Sequence, residues 1–173
     1  MKLSQPHMAT INKIAPFVLL FGLLQGCYTF RDISIPPNVK TARVNNIINK
    51  ATYVNPQLAP RLMERLKSKI NNQTRLQQVS GNDAHYEISG VITDYRVTTT
   101  GISNQQSSIN RLTVTVRITF KNRLDPTADF EADISRNFDF DANLSLQQAE
   151  AAKSDEIIRN MTDEIFNRIF SNW

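Results

Sequence analysis

The sequence predicts an α+β fold: a two-layer sandwich, with two amphipathic helices packed on one face of a mostly antiparallel sheet. Two observations carry this. Between Leu112 and Phe120 the residues alternate without a break. Leu112, Val114, Val116, Ile118 and Phe120 fall on one side, and Thr113, Thr115, Arg117 and Thr119 on the other. Such a strand has one buried face and one wet face. The second observation is a pair of apolar stripes at helical spacing, one before and one after the strand-rich middle.

Taken in order, the first 26 residues carry Lys2 and Lys13 and no acid. They then run Ala15-Pro16-Phe17-Val18-Leu19-Leu20-Phe21-Gly22-Leu23-Leu24-Gln25-Gly26 and meet Cys27. A basic stretch, an apolar core and a small residue at the cut are the anatomy of a secretory signal. The apolar run from Ile14 to Leu24 is shorter than the ~20 residues a bilayer-spanning helix needs. A cysteine directly after the small residue makes this a lipobox, so residues 1–26 are expected to be a lipoprotein signal and Cys27 the acylated first residue of a single domain, 27–173. Cys27 is also the chain's one cysteine, which leaves no internal disulfide to form. Cleavage removes two lysines from a net charge of +4, leaving about +2. No basic stripe survives, so a nucleic-acid partner is not expected.

Tyr28 to Lys50 reads as extended, interrupted by Pro36-Pro37, which suit a turn or an edge. Asn55-Pro56 opens the first helix, with Asn as N-cap and Pro at the first helical position. Leu58, Leu62, Leu66 and Ile70 make its buried stripe, and Asn71-Asn72 its end. Leu76–Val79 is a short strand before the Ser80–Asp83 turn. Tyr86–Val97 is a long one, in which Gly90 allows a close neighbour or marks a bulge that switches faces. Thr98 to Ser108 is polar and without period, and reads as a hairpin loop. After the Leu112–Phe120 strand and the Asp125-Pro126 turn, Phe130, Ala132 and Ile134 alternate with Asp129, Glu131 and Asp133. Ser145 and Gln148 form a capping-box pattern that starts a helix running to Trp173, with Ile158, Met161, Ile165 and Ile169 as its main stripe.

Chemistry-bearing constellations are missing from this pattern. His7 belongs to the signal, so His85 is the sole histidine of residues 27–173, and a Cys/His zinc site is not available. No nucleophile-elbow motif or Gly-rich phosphate loop occurs, and no cofactor or enzyme activity is expected. Asp129, Glu131 and Asp133 repeat every second residue, which places them on the solvent side of a strand. A calcium loop instead needs a bend, usually at a glycine. What remains is a polar sheet face, suited to water or to the polar wall of a barrel lumen.

Several runs resemble a known family. They are Asn49-Lys50-Ala51-Thr52-Tyr53-Val54-Asn55-Pro56-Gln57-Leu58, then Glu64, Leu66-Lys67 and Gln73-Thr74-Arg75-Leu76. Gly90-Val91-Ile92-Thr93-Asp94-Tyr95, Asn110–Val116 and the closing Ile165-Phe166-Asn167 … Trp173 continue the match. In this order, behind a lipobox, they resemble the lipopolysaccharide-assembly lipoproteins, the LptE family. The resemblance implies an outer-membrane lipoprotein, held to the membrane by N-terminal acyl chains and facing the periplasm. It would plug the lumen of the large β-barrel that inserts lipopolysaccharide into the outer leaflet, help that barrel assemble, and bind lipopolysaccharide in transit. Tyr28 after the cysteine, in place of an aspartate, fits outer-membrane sorting. No lipopolysaccharide-contacting residue carries over by motif; Arg96, Arg111 and Arg117 are the candidates for docking or for lipid A phosphates. Two rival expectations differ in class. An envelope lipoprotein that binds an apolar or anionic ligand between helices and sheet would need a deep cavity. A tethered hydrolase would need an activated nucleophile near His85.

Overall fold

A computed structural model describes residues 35–103 and 106–171. The proposed signal, Cys27, Tyr28 and Trp173 lie outside the described residues. The elements are strand β1 (Thr41–Asn49), helix α1 (Leu58–Gln73), strands β2 (Gln77–Gln78), β3 (Tyr86–Ser103) and β4 (Gln106–Asn122), a 3₁₀ turn (Pro126–Ala128), strand β5 (Phe130–Asp141) and helix α2 (Leu146–Phe170). The five strands form one sheet in the order β2-β1-β3-β4-β5.

The expected α+β sandwich is present, and its sheet is mixed. The long pairings β3–β4 and β4–β5 are antiparallel, whereas β1 pairs in parallel with both β2 and β3. Parallel neighbours need a crossover of a dozen or more residues, and α1 supplies it between β1 and β3. Both helices lie over the same sheet face. Leu62, Leu66 and Ile70 of α1 and Met161 and Ile165 of α2 are inaccessible to solvent, as are Ile92, Val114, Val116 and Ile118 of the sheet.

Local chemistry accounts for the element ends. At α2, Ser145 Oγ accepts from the Gln148 N–H (3.3 Å) and Gln148 Oε1 accepts from the Ser145 N–H (2.9 Å), the reciprocal box the sequence predicts. At α1 the cap moves. Gln57 stands at the N-cap, and Asn55 acts two residues earlier, its Oδ1 accepting from the Gln57 N–H at 2.9 Å. That Asx turn leaves Pro56 ahead of the helix. Thr74 closes α1, its Oγ1 donating to the Ile70 carbonyl at 2.7 Å.

Gly90 does what its position in β3 suggests. A Cβ there would stand 3.1 Å from Ile118 Cδ1 and 3.4 Å from Ile47 Cγ1, so the missing side chain admits two core neighbours. The face switch follows three residues later. The β3–β4 register slips between Ile92 and Asp94, leaving Thr93 as an extra residue. Tyr86, Ile88 and Ile92 point inward before it, and Tyr95 points inward after it.

The expectation of a loop from Thr98 to Ser108 is corrected. β3 continues to Ser103 and β4 begins at Gln106, paired as a two-stranded ribbon. β5 stops pairing at Ile109↔Asp141 and β1 at Asn49↔Ile92, so the ribbon runs on past both neighbours. Thr98, Thr99 and Thr100 are all exposed on it, so no buried side sets a period there. Its threonines still favour extended backbone.

Candidate docking surface

The sheet face away from the helices is a ladder of satisfied polar pairs. Across β4 and β5, in register order, Arg111 grips Asp139 with two bonds (2.7 and 2.9 Å), and Thr113 donates to Asn137 (2.9 Å). Thr115 donates to Ser135 (3.0 Å), Arg117 grips Asp133 with two bonds (2.7 and 2.9 Å), and Thr119 donates to Glu131 (3.0 Å). Each rung joins residues directly opposite one another, as the strict alternation of both strands requires. On β3, Arg96 bonds Asp94 two residues away, and Arg43 on β1 bonds Glu87 at 3.0 Å.

The three candidate arginines thus share this face, and each holds a carboxylate. The pairing shows in their electrostatics. The guanidinium hydrogen bonds, with smaller coulombic help, hold Asp133 and Asp139 below the usual carboxylate range and raise Arg117 and Arg111. The result is a polar face in which opposite charges are locally matched.

Asp129 departs from its two neighbours in the acidic repeat. It precedes β5 and its Oδ1 accepts from the Asn122 N–H at 2.7 Å, so it closes the β4–β5 turn. Glu131 and Asp133 are on the wet face as expected. Among the described residues no three His, Cys, Asp or Glu side chains converge as a metal site, and no helix is long and apolar enough to cross a membrane. His85 serves the backbone: its Nδ1 accepts from the Lys40 N–H at 2.9 Å, and its own N–H donates to Thr41 Oγ1 at 3.0 Å.

Two features escaped the sequence. One is a lock between layers. Glu150 on α2 accepts from Tyr95 (2.7 Å), Asn55 (3.0 Å) and Tyr53 (3.2 Å), and the two tyrosine rings stack at 5.5 Å. Burial first, then the Glu150 carboxylate, pushes the Tyr95 hydroxyl far above its ordinary range. The cavity beside this lock holds about 10 Å³, room for no more than one water. The deep ligand chamber of the first rival is not found there.

The other feature is an apolar rim. Of the seven large apolar side chains that stay exposed among the described residues, six are Ile48, Tyr53, Val54, Val97, Ile109 and Leu144. These six lie toward the end from which the ribbon projects, while Leu124 lies at the opposite end, in the β4–β5 turn. The described chain also starts at that opposite end. There the Ile35 carbonyl accepts from Arg75, just past α1. Apolar residues at wet-face or loop positions were the only available signal for the rim, and each taken singly is ordinary.

Comparison with known proteins places this geometry. A model of the LptE lipopolysaccharide-assembly family matches residues 39–171. Among solved structures, a minor lipoprotein from Acinetobacter baumannii aligns over 77% of this chain and 94% of its own, at 16% identity and a TM-score of 0.53. The rare lipoprotein B of Shewanella oneidensis aligns over 73% and 89%, at 13% identity and a TM-score of 0.44. At 16% identity the likeness to the Acinetobacter protein is one of fold. No curated protein matches the sequence. The family match spans every described strand and both helices, and on it the chain belongs to the LptE family of lipopolysaccharide-assembly proteins.

Proposed function

We propose that this protein is an outer-membrane lipoprotein, acylated at Cys27, that plugs the lumen of the lipopolysaccharide-inserting barrel (LptD), assists its assembly and contributes to lipopolysaccharide transport to the outer leaflet. The role is non-catalytic. The observation that carries the reading is the β4–β5 ladder, five consecutive cross-strand pairs with every carboxylate and guanidinium engaged. Such a face is polar, with Asp133 and Asp139 neutralised by arginine and Glu131 held by a neutral hydroxyl. It can lie against a polar lumen wall while keeping its own bonds, so docking does not strand a buried ion. The ribbon and the apolar rim would lead into the barrel, at the end away from the point where the described chain starts.

Arg96, Arg111 and Arg117 are proposed contacts for lipid A phosphates. Each already shares an aspartate, so a phosphate would join or displace that carboxylate. Acyl chains on Cys27 would hold the domain beside its partner, each buried CH₂ adding about 0.8 kcal/mol.

A photoreactive amino acid placed at Thr115, in the centre of the wet face, tests the reading in living cells. A covalent adduct with the barrel is expected. Irradiated membranes in which Thr115 reports only solvent, with the protein folded and lipidated, would overturn it.

A further inference from the structure

We propose that β5 is a strand-addition site: an extended segment of the partner protein pairs with its free edge and lays side chains into the groove between β5 and α2. This goes beyond docking through the sheet face. It rests on the proposal that a protein partner exists.

The backbone accounting comes first. β5 is the last strand of the sheet and spans twelve residues. In an antiparallel pair every second residue turns its N–H and C=O away from its neighbour. Among the described residues, the backbone of Phe130–Phe140 makes hydrogen bonds to β4 alone. The other edge of the sheet is different, ending in the two-residue β2. Natural edges are commonly blunted by bulges, prolines or short length. β5 has none of these three and its register with β4 runs without a slip from Phe130 to Asp141; its guard is charge, with Arg136 on the helix-facing side held by Glu164 of α2. β3, by contrast, slips three times.

The second observation is a groove of about 480 Å³ along this edge. Ala132, Ile134 and Arg136 form its strand side, and Glu164, Asn167 and Arg168 of α2 form its wall. Arg136 pairs with Glu164 across it, and the Arg168 guanidinium lies 5.4 Å from the Phe130 ring centre. A free strand edge beside a helix wall is the geometry in which added strands are bound by main-chain bonds and read through alternate side chains.

The third observation is charge, which selects the occupant. On the wet side β5 presents Glu131, Asp133, Asp139 and Asp141. Arg117 and Arg111 neutralise the middle two, while Glu131 and Asp141 have no cationic partner among the described residues. A second copy of β5 running antiparallel would set acids against acids. An incoming segment with Lys or Arg toward Glu131 or Asp141, and small or aliphatic residues toward Ala132 and Ile134, meets complementary groups instead.

The test compares amide exchange, residue by residue, in the purified chain and in the complex isolated from detergent-solubilised membranes. In the complex, every second amide from Ala132 to Asp139 should slow by about tenfold or more. Equal rates in both samples, with the wet face protected, overturn strand addition and leave face docking intact. Membranes that yield no protein complex overturn both readings. Protection already present in the isolated chain and rising with its concentration assigns the edge to self-pairing, which also overturns the proposal. Ser135→Pro and Arg136→Pro give a second measure. At two consecutive positions, one N–H must face outward, and proline removes it; Ser135→Ala and Arg136→Ala, which lose the same side chains but keep the N–H, should retain the partner. Whichever proline variant melts like the parent should lose about tenfold or more of the co-purified partner. Full yield from a parent-like proline variant overturns the proposal.

Discussion

Asp133 and Asp139 are gripped by guanidinium groups at two points each, and that grip has a sign in pH. Their acid groups ionise below the usual range because the Arg117 and Arg111 hydrogen bonds favour the charged form. The unfolded chain protonates such groups near pH 3.9. The stabilisation is therefore present above about pH 4 and is lost as pH falls toward the depressed folded values. Replacing both aspartates by asparagine should flatten the fall in melting temperature on acidification, followed by circular dichroism; a curve as steep as the parent's would contradict this. Tyr95 has the opposite sign. Its hydroxyl is raised by burial first and by Glu150 second, so folding favours the neutral form. That contribution is intact below about pH 10 and is lost as pH rises above it. Tyr95→Phe should cost about 1 kcal/mol near neutrality, the worth of one hydrogen bond, and should remove part of the alkaline loss. Equal alkaline melting of parent and variant would count against the lock. The sequence showed each arginine and aspartate but not their partnership, because residues twenty or so apart become neighbours only once the register is set. Glu150 was invisible for the same reason: its three donors come from two other parts of the chain.

β4 was legible because it is buried on one side and wet on the other along its centre. Val116 is inaccessible to solvent and its neighbour Thr115 lies on the opposite face. Val116→Asp should bury an unpaired carboxylate, cost several kcal/mol and unfold a domain of ordinary stability. Thr115→Asp should fold, and its effect should fall on docking. Thermal melts of both purified chains check the pair, and a folded Val116→Asp would contradict the assigned faces. The amphipathic helices were legible for a related reason, since period reports burial. Where burial stops, so does the signal. The ribbon from Thr98 onward pairs its backbone, but Thr98, Thr99 and Thr100 are exposed without alternation, and the stretch read as a loop. The parallel placement of β1 was hidden too. A strand's own sequence states which side is buried and leaves open the direction of its neighbour. At α1, Asn55-Pro56 marked the start of a helix to within two residues, because Asx-turn and N-cap chemistry use the same side-chain oxygen.

At the scale of the whole molecule, one apolar core is buried between helices and sheet, the opposite sheet face is polar with its arginines paired to aspartates, and six of the seven exposed large apolar side chains among the described residues gather at one end. These features and membership of a lipopolysaccharide-assembly family are what the proposed docked role draws on. The fold class was legible from two patterns, and the polar sheet face from the alternation of one strand. The rim, the ribbon and the free edge needed the tertiary arrangement, since they are defined by what does not cover them. The tether is an expectation from the Leu24-Gln25-Gly26-Cys27 run, and Cys27→Ala should abolish metabolic palmitate labelling; retained label would remove the anchor. The most direct measurement is affinity purification of the tagged full chain from detergent-solubilised outer membranes of its native host. A large β-barrel recovered in a one-to-one ratio is the predicted result. A chain recovered alone and folded, with the barrel present in the same extract but unbound, would contradict the account.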